Sequence, residues 1–300
     1  MRPSPAIFIP ASLACAVVCL CSAAHAQSQE EFELQGGRHI PAESVKASPT
    51  GFTATVMVGT AQQIVNFTAK EVVRATLREP KELVEARILI ASGKADQALD
   101  SLTKAEPALL PYQSIPDSWW LRAAILRMDA LSVLGKNKDA AAIASPDVLS
   151  KLPSDNASLL KDFQSVVAPP SKNPADKLDS LYTLADHTVD PWVGARVWLE
   201  AGNTLASQGK MEDAVKAWLR VAIFFPAERD LAARGTILAA RGLQQIGRAT
   251  DGVKLLDDYL SDHLASPYKE TIQTEAAKLK PKSQTPSTAE APKEPTETTK

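Results

Sequence analysis

The stretch "LASQGKMEDAVKAWLRVAIFFP", Leu205 to Pro226, decides how the rest of the chain is read. Gly209 stands at a turn, Ala214 follows five residues later, Trp218 four beyond that, and Pro226 closes the run. A single amphipathic helix would leave this spacing unrepeated, but the chain repeats it. "GKADQA" begins at Gly93, "GKNKDA" at Gly135, "GKMEDA" at Gly209 and "GRATDG" at Gly247. Each phrase reads glycine, a basic residue, two variable positions, Asp or Gln, then Ala or Gly. The middle interval is about twice the outer ones. A further copy therefore falls near residue 172, where the chain reads "NPADKL" from Asn173. Asn tolerates the left-handed conformation of a helix C-cap, so five units are expected, the third degenerate.

The phrase has a physical reading. Each unit is helix, tight turn, helix. Glycine ends the first helix at positive φ with little steric cost. The small residue five positions later (Ala98, Ala140 or Ala214) sits one turn into the second helix and lets the two helices approach closely. A large residue four beyond, as at Leu102, Trp218 and Leu256, fills the space over the next turn. Ala144 and Tyr182 hold that place in the second and third units, which should pack differently.

In the fourth unit Trp198, Ala201-Gly202, Leu205, Ala214, Trp218 and Pro226 follow the spacing W-x2-L-G-x2-Y…A-x3-F…P, which resembles the tetratricopeptide repeat family. Ala86, Leu89, Gly93, Ala98, Leu102 and Pro111 match in the first unit. Leu131, Gly135 and Ala140 match in the second, and Ala240, Leu243, Gly247, Gly252 and Leu256 in the fifth. The interval exceeds the usual repeat of about 34 residues. Helix starts at Asp117-Ser118-Trp119-Trp120 and Asp190-Pro191-Trp192 account for about one added turn per unit. With "FFPAERDLAARG", these long units are similar to those of bacterial cell-envelope tetratricopeptide proteins, such as Tol-Pal-associated coordinators and outer-membrane assembly lipoproteins. The resemblance implies a mainly α chain built as an α-solenoid of about five helical hairpins over residues 79–279.

The flanking segments differ. Residues 1–26 read as a signal peptide. Arg2 gives a positive start, an apolar run follows, and Ala24-His25-Ala26 offers a cleavage site. Cys15, Cys19 and Cys21 all lie in this segment, so the cleaved chain would hold no disulfide or thiolate metal site. None of the three has the apolar-small-small approach of a lipoprotein signal. Over residues 27–78 the pattern has period two: Phe52, Ala54, Val56 and Val58 alternate with Thr53, Thr55 and Met57. Four or five short strands are expected there, as an SH3-like barrel or as one sheet folded onto the helices. Residues 280–300, "KPKSQTPSTAEAPKEPTETTK", carry no large apolar residue and read as a disordered tail.

Composition narrows the function. Hydrophobic residues make up 45% of the chain, enough for a packed core. A net charge of −2 argues against nucleic acid, which needs a basic surface. His39, His187 and His263 have no partner at ligand spacing, and no nucleophile, zinc or dinucleotide motif occurs. Gly93, Gly135 and Gly209 precede lysine but lack the Ser or Thr of a phosphate loop. No catalytic residue, metal or cofactor is assigned.

What remains is a binding face. In the fourth unit Trp198, Ala201, Gly202 and Leu205 form the packing face, while Arg196, Leu199, Asn203 and Ser207 lie on another. The glycine register carries that second face to Arg87 in the first unit, Arg122 and Asp129 in the second, and Arg234, Arg241 and Gln245 in the fifth. In the family it resembles, this concave face holds peptides, and Arg, Lys and Asn there bind carboxylates. The resemblance thus implies a non-catalytic, exported scaffold that takes a protein or peptide partner, as an acidic segment or chain terminus. It would meet a membrane only through a lipid or a partner. A solvated helical face, self-association through the unit ends or the β edge, and an enzyme with an unrecognised site are the alternatives.

Overall fold

The structure, a computed structural model, describes residues 30–48, 50–116, 118–169 and 173–280. The signal segment, Asp117 and the tail from 281 onward lie outside the described residues. The chain is mainly helical, with a small antiparallel sheet region at its N-terminal end.

Six strands form that region: β1 (Glu31–Leu34), β2 (Arg38–Pro41), β3 (Val45–Ser48), β4 (Gly51–Val58), β5 (Ala61–Phe67) and β6 (Val72–Thr76). They pair as two antiparallel sheets, β2-β1-β6 and β3-β4-β5. Phe52, Ala54, Val65 and Phe67 point inward at period two and meet Phe32, Ile40 and Val72. The core between the two sheets is not closed by strand residues alone. The segment after the second helix completes it, with Ile115 fully buried among these residues. Tyr112 stacks on Phe32 and Phe52 with ring centroids 6.1 and 5.7 Å away.

The helices are α1 (Lys81–Ala91), α2 (Ala95–Leu109), α3 (Trp119–Val133), α4 (Asn137–Ala142), α5 (Pro146–Leu149), α6 (Ser154–Val167), α7 (Pro174–His187), α8 (Pro191–Ser207), α9 (Met211–Phe224), α10 (Arg229–Gln245), α11 (Ala249–Asp262) and α12 (Lys269–Leu279). The pairs α1/α2, α3/α4, α8/α9 and α10/α11 are joined by the four repeated turns. Gly93, Gly135, Gly209 and Gly247 have φ of 77, 74, 75 and 80°. In the turn at Gly209, the Lys210 N–H donates to the Leu205 carbonyl at 3.0 Å and the Gly209 N–H to the Ala206 carbonyl at 3.0 Å. This is the Schellman pattern, and the other three turns repeat it. The Lys210 carbonyl then accepts from the Ala214 N–H at 3.0 Å. Ala98, Ala140 and Ala214 are therefore held one turn in, and all three are fully buried. Gly209→Ala places a Cβ in the left-handed region and should cost about 1–2 kcal/mol. A denaturant midpoint shift with unchanged slope would register it.

The third unit departs from expectation. Asn173 does not close a helix in the left-handed region. It has φ −111° and caps the start of α7, its Oδ1 accepting from the Ala175 N–H at 3.1 Å. Pro174 explains the change, because it bars α geometry at the preceding residue and suits the first position of a helix. In the second unit α4 is only six residues long. Ser145-Pro146 interrupts the chain there, and α6 joins α4 in packing against α3.

Trp218 organises α8, α9 and α10. Its indole lies over Gly202, where a Cβ would overlap the ring, and its Nε1 donates to the Leu199 carbonyl at 3.3 Å. On the other side α10 approaches through Gly235 and Gly242, where a Cβ would lie 2.7 Å from the Trp218 carbonyl and 3.0 Å from its ring. Trp198 is partly buried and carries the Arg220 guanidinium 4.2 Å from its ring centroid. Trp120 is core, whereas Trp119 is half-buried and donates to the Leu77 carbonyl at 2.9 Å, linking the helices to the end of the strand region.

The helical array also touches itself. α1 packs on α3 and α10, α10 packs on α8, and the Ser92 and Thr271 hydroxyls lie 2.9 Å apart. The beginning of the helical part thus meets its end.

Candidate functional site

The first helices of the units, α1, α3, α8 and α10, turn polar side chains toward a common axis. At the middle lies Asp129, on α3. Its Oδ1 accepts from Arg196 Nε at 2.6 Å, and both side chains are 1% exposed. Arg234, on α10, pairs with the other carboxylate oxygen. Arg196 also donates to Glu200 at 3.3 Å, one turn along α8. Burial pushes the Asp129 carboxyl up, but Arg234 and Arg196 overcome it and hold it below the ordinary carboxylate range. Burial likewise opposes the charge on Arg196, and Asp129 with Glu200 restores it and raises its pKa.

The N-terminal ends of these helices gather a second set of charges. Arg87 pairs with Glu79 at 2.6 Å, and Arg122 with Asp190 at 3.0 Å. Asp190 also caps α8 by accepting from the Val193 N–H at 3.0 Å, where a carboxylate suits the helix dipole. Asp230 accepts from Trp192 Nε1 at 3.4 Å. Burial pushes its carboxyl up, more than Arg87 and Arg234 pull it down.

The opposite end opens into a cavity of about 460 Å³. Arg196, Asn203, Arg234 and Arg241 line it, with Glu200, Glu275 and the hydroxyl-bearing Ser92, Ser132 and Thr271. Arg241 is 48% exposed and pairs with Glu275 at 2.8 Å. Glu275 keeps a second partner in Lys278 at 2.7 Å. Asn203 is exposed, donates to Glu200 at 3.5 Å and accepts from Trp218 Nε1 at 3.3 Å.

The binding face expected from the sequence is therefore divided. Arg196, Asn203, Arg234 and Arg241 come together at one cavity. Arg87 and Arg122 sit at the other end of the axis, and Asp129 lies between. Gln245 is exposed and outside the cavity lining. One correction is plain: Arg196 and Leu199 do not form an open face, because α8 is covered on both sides and both residues are buried. A period of 3.6 finds the faces of a helix but not how many of them are covered. Glu200 and Glu275 were missed. Glu200 had a signal, one turn beyond Arg196; Glu275 lies on α12, past the last glycine phrase, and had none.

Among the described residues no group of His, Cys, Asp or Glu is placed to hold a metal, and no helix is long and apolar enough to cross a membrane. The sequence matches no family model and no curated protein.

Proposed function

We propose that this chain is a non-catalytic, exported interaction scaffold of the cell envelope. Its helical hairpins are read as tetratricopeptide-like units of an α-solenoid, with an SH3-like module in front, and its ligand is an acidic peptide segment or a chain terminus. The Schellman turns and buried small residues support the hairpin reading. Two short sheets around one aromatic core support the module.

One observation carries the binding reading: Arg241 and Asn203, from different helices, meet at a cavity whose inner wall is the Arg196–Arg234 pair. Arg241 has five N–H donors and Glu275 uses only part of them. A ligand carboxylate can therefore join without breaking the ion pair. Arg196 and Arg234 are already committed to Asp129 and Glu200 and form the wall rather than make direct contacts. Ser92, Ser132 and Thr271 offer hydroxyls to a peptide main chain.

A photo-crosslinking residue at Asn203, expressed in the native envelope, tests this. A discrete protein adduct is expected, reduced about tenfold or more by Arg241→Gln. Glu275 remains paired with Lys278 in that variant, so the melting temperature should hold. Adducts that are absent, or indifferent to Arg241→Gln, would sink the reading.

A further inference from the structure

Strand β5, of sequence AQQIVNF, is the outer strand of the sheet β3-β4-β5. Outer strands are ordinarily guarded by charge, proline, a bulge or a covering element. β5 has no charged residue and no proline, and it pairs with β4 in unbroken register from Val58↔Ala61 to Phe52↔Phe67. Gly59-Thr60 is a two-residue turn, which makes Val58↔Ala61 the hydrogen-bonded closing pair. Alternation then turns the N–H and C=O groups of Gln62, Ile64 and Asn66 away from β4. No further backbone hydrogen bond among the described residues reaches them. The same hairpin exposes three large apolar side chains: Ile64 at 68%, Met57 at 61% and Val58 at 59%.

We infer that two copies of this chain pair antiparallel through β5, about a two-fold axis at Ile64. In that register Ile64 faces Ile64 of the second copy, and Gln62 faces Asn66 of the second copy. Each outward backbone group then has a partner, and a continuous β3-β4-β5-β5-β4-β3 sheet results. The composition of the strand favours a second copy over a different protein. Self-pairing sets Ile64 against its own copy, so a charge at the axis would repel its like. β5 carries none, and the pairs that share backbone hydrogen bonds set Ile64 against Ile64 and Gln62 against Asn66, while Gln63 meets Val65 between them. Thr53 donates to Asn66 Oδ1 at 2.9 Å, a bond that does not use the amide NH₂ of Asn66. The contact is isologous and closes at two copies. One strand and one hairpin tip make a small interface, so the dimer should be weak and dependent on concentration. The concave cavity takes no part, and the inference stands or falls separately from the proposed function.

Sedimentation of the full chain from about 1 to about 200 μM tests it. The weight-average mass should rise toward that of a dimer. Ile64→Lys sets two like charges at the axis, and Gln62→Pro removes an outward N–H that β4 does not use. Both should weaken dimerisation at least tenfold, with the melting temperature unchanged in Ile64→Lys. Ile64→Cys, with Cys15, Cys19 and Cys21 replaced by Ser, should oxidise to a symmetric disulfide dimer, because hydrogen-bonded pairs lie about 5.5 Å apart at Cα. A chain that stays monomeric at about 200 μM overturns the inference, including the case in which β5 pairs with a strand of another protein. A dimer that survives both Ile64→Lys and Gln62→Pro also overturns it.

Discussion

Asp129→Asn should destabilise the fold by about 3–5 kcal/mol, the range for removing one partner of a buried ion pair. The asparagine keeps the shape but not the charge. Arg196, 1% exposed, is then left with Glu200 as its one carboxylate, beside the Ser132 hydroxyl, and Arg234 loses its carboxylate. A domain of this kind holds about 5–15 kcal/mol in total, so the loss should be plain in a urea titration. The effect should also depend on pH. The folded-state pKa of Asp129 is lowered, so its contribution is complete above the unfolded value of about 3.9 and fades as pH falls below it. The gap between wild type and Asp129→Asn should therefore narrow below about pH 4. A gap that widens there would mean that the carboxylate is not stabilised by the two arginines. Replacing the whole cluster with Asp129→Leu, Arg196→Met and Arg234→Met should restore most of the loss, since a well-packed apolar set often equals a buried ion cluster. Peptide capture should still fall in that variant, because the inner wall of the cavity loses its charge. The cluster would then be a feature of recognition more than of stability.

The second large effect belongs to Trp218. Trp218→Ala should cost about 3–5 kcal/mol, and toward the upper end, because the void cannot collapse. Its walls are Gly202 on α8 and Gly242 on α10, with the α10 backbone already close at Gly235. These positions offer no side chain to move inward. Gly202→Ala should also destabilise, by about 1–3 kcal/mol from overpacking. Its cost should shrink in the Trp218→Ala background, where the new methyl enters empty space. Additive losses in that double-mutant cycle would show that Gly202 and Trp218 do not act on one another.

The four glycine phrases were legible because each encodes a local event, a helix stop and the start of the next helix within a few residues. The same signal misled at Asn173, where Pro174 outweighed the tolerance of Asn for the left-handed region. The strand region read correctly as alternating, but the role of Tyr112 and Ile115 in its core was hidden. They come from the helical part, and no periodicity links them to Phe32 or Phe52. The site was half legible. The glycine register found Arg196, Arg234 and Arg241 on inward helices. Which acid each arginine meets depends on contacts between residues far apart in the chain, such as Asp129 with Arg234. Spacing along one helix says nothing about those.

The meeting of α1 with α10, and of Ser92 with Thr271, has a consequence for how the chain unfolds. An open row of helical pairs melts from its tips, each pair peeling away at the cost of one neighbour interface. This row has no loose tip, since its first pair leans on its last. Opening either end disturbs both, so the helical part should come apart in one step rather than by unzipping. Folding, for its part, must wait for a closure that spans nearly the whole array.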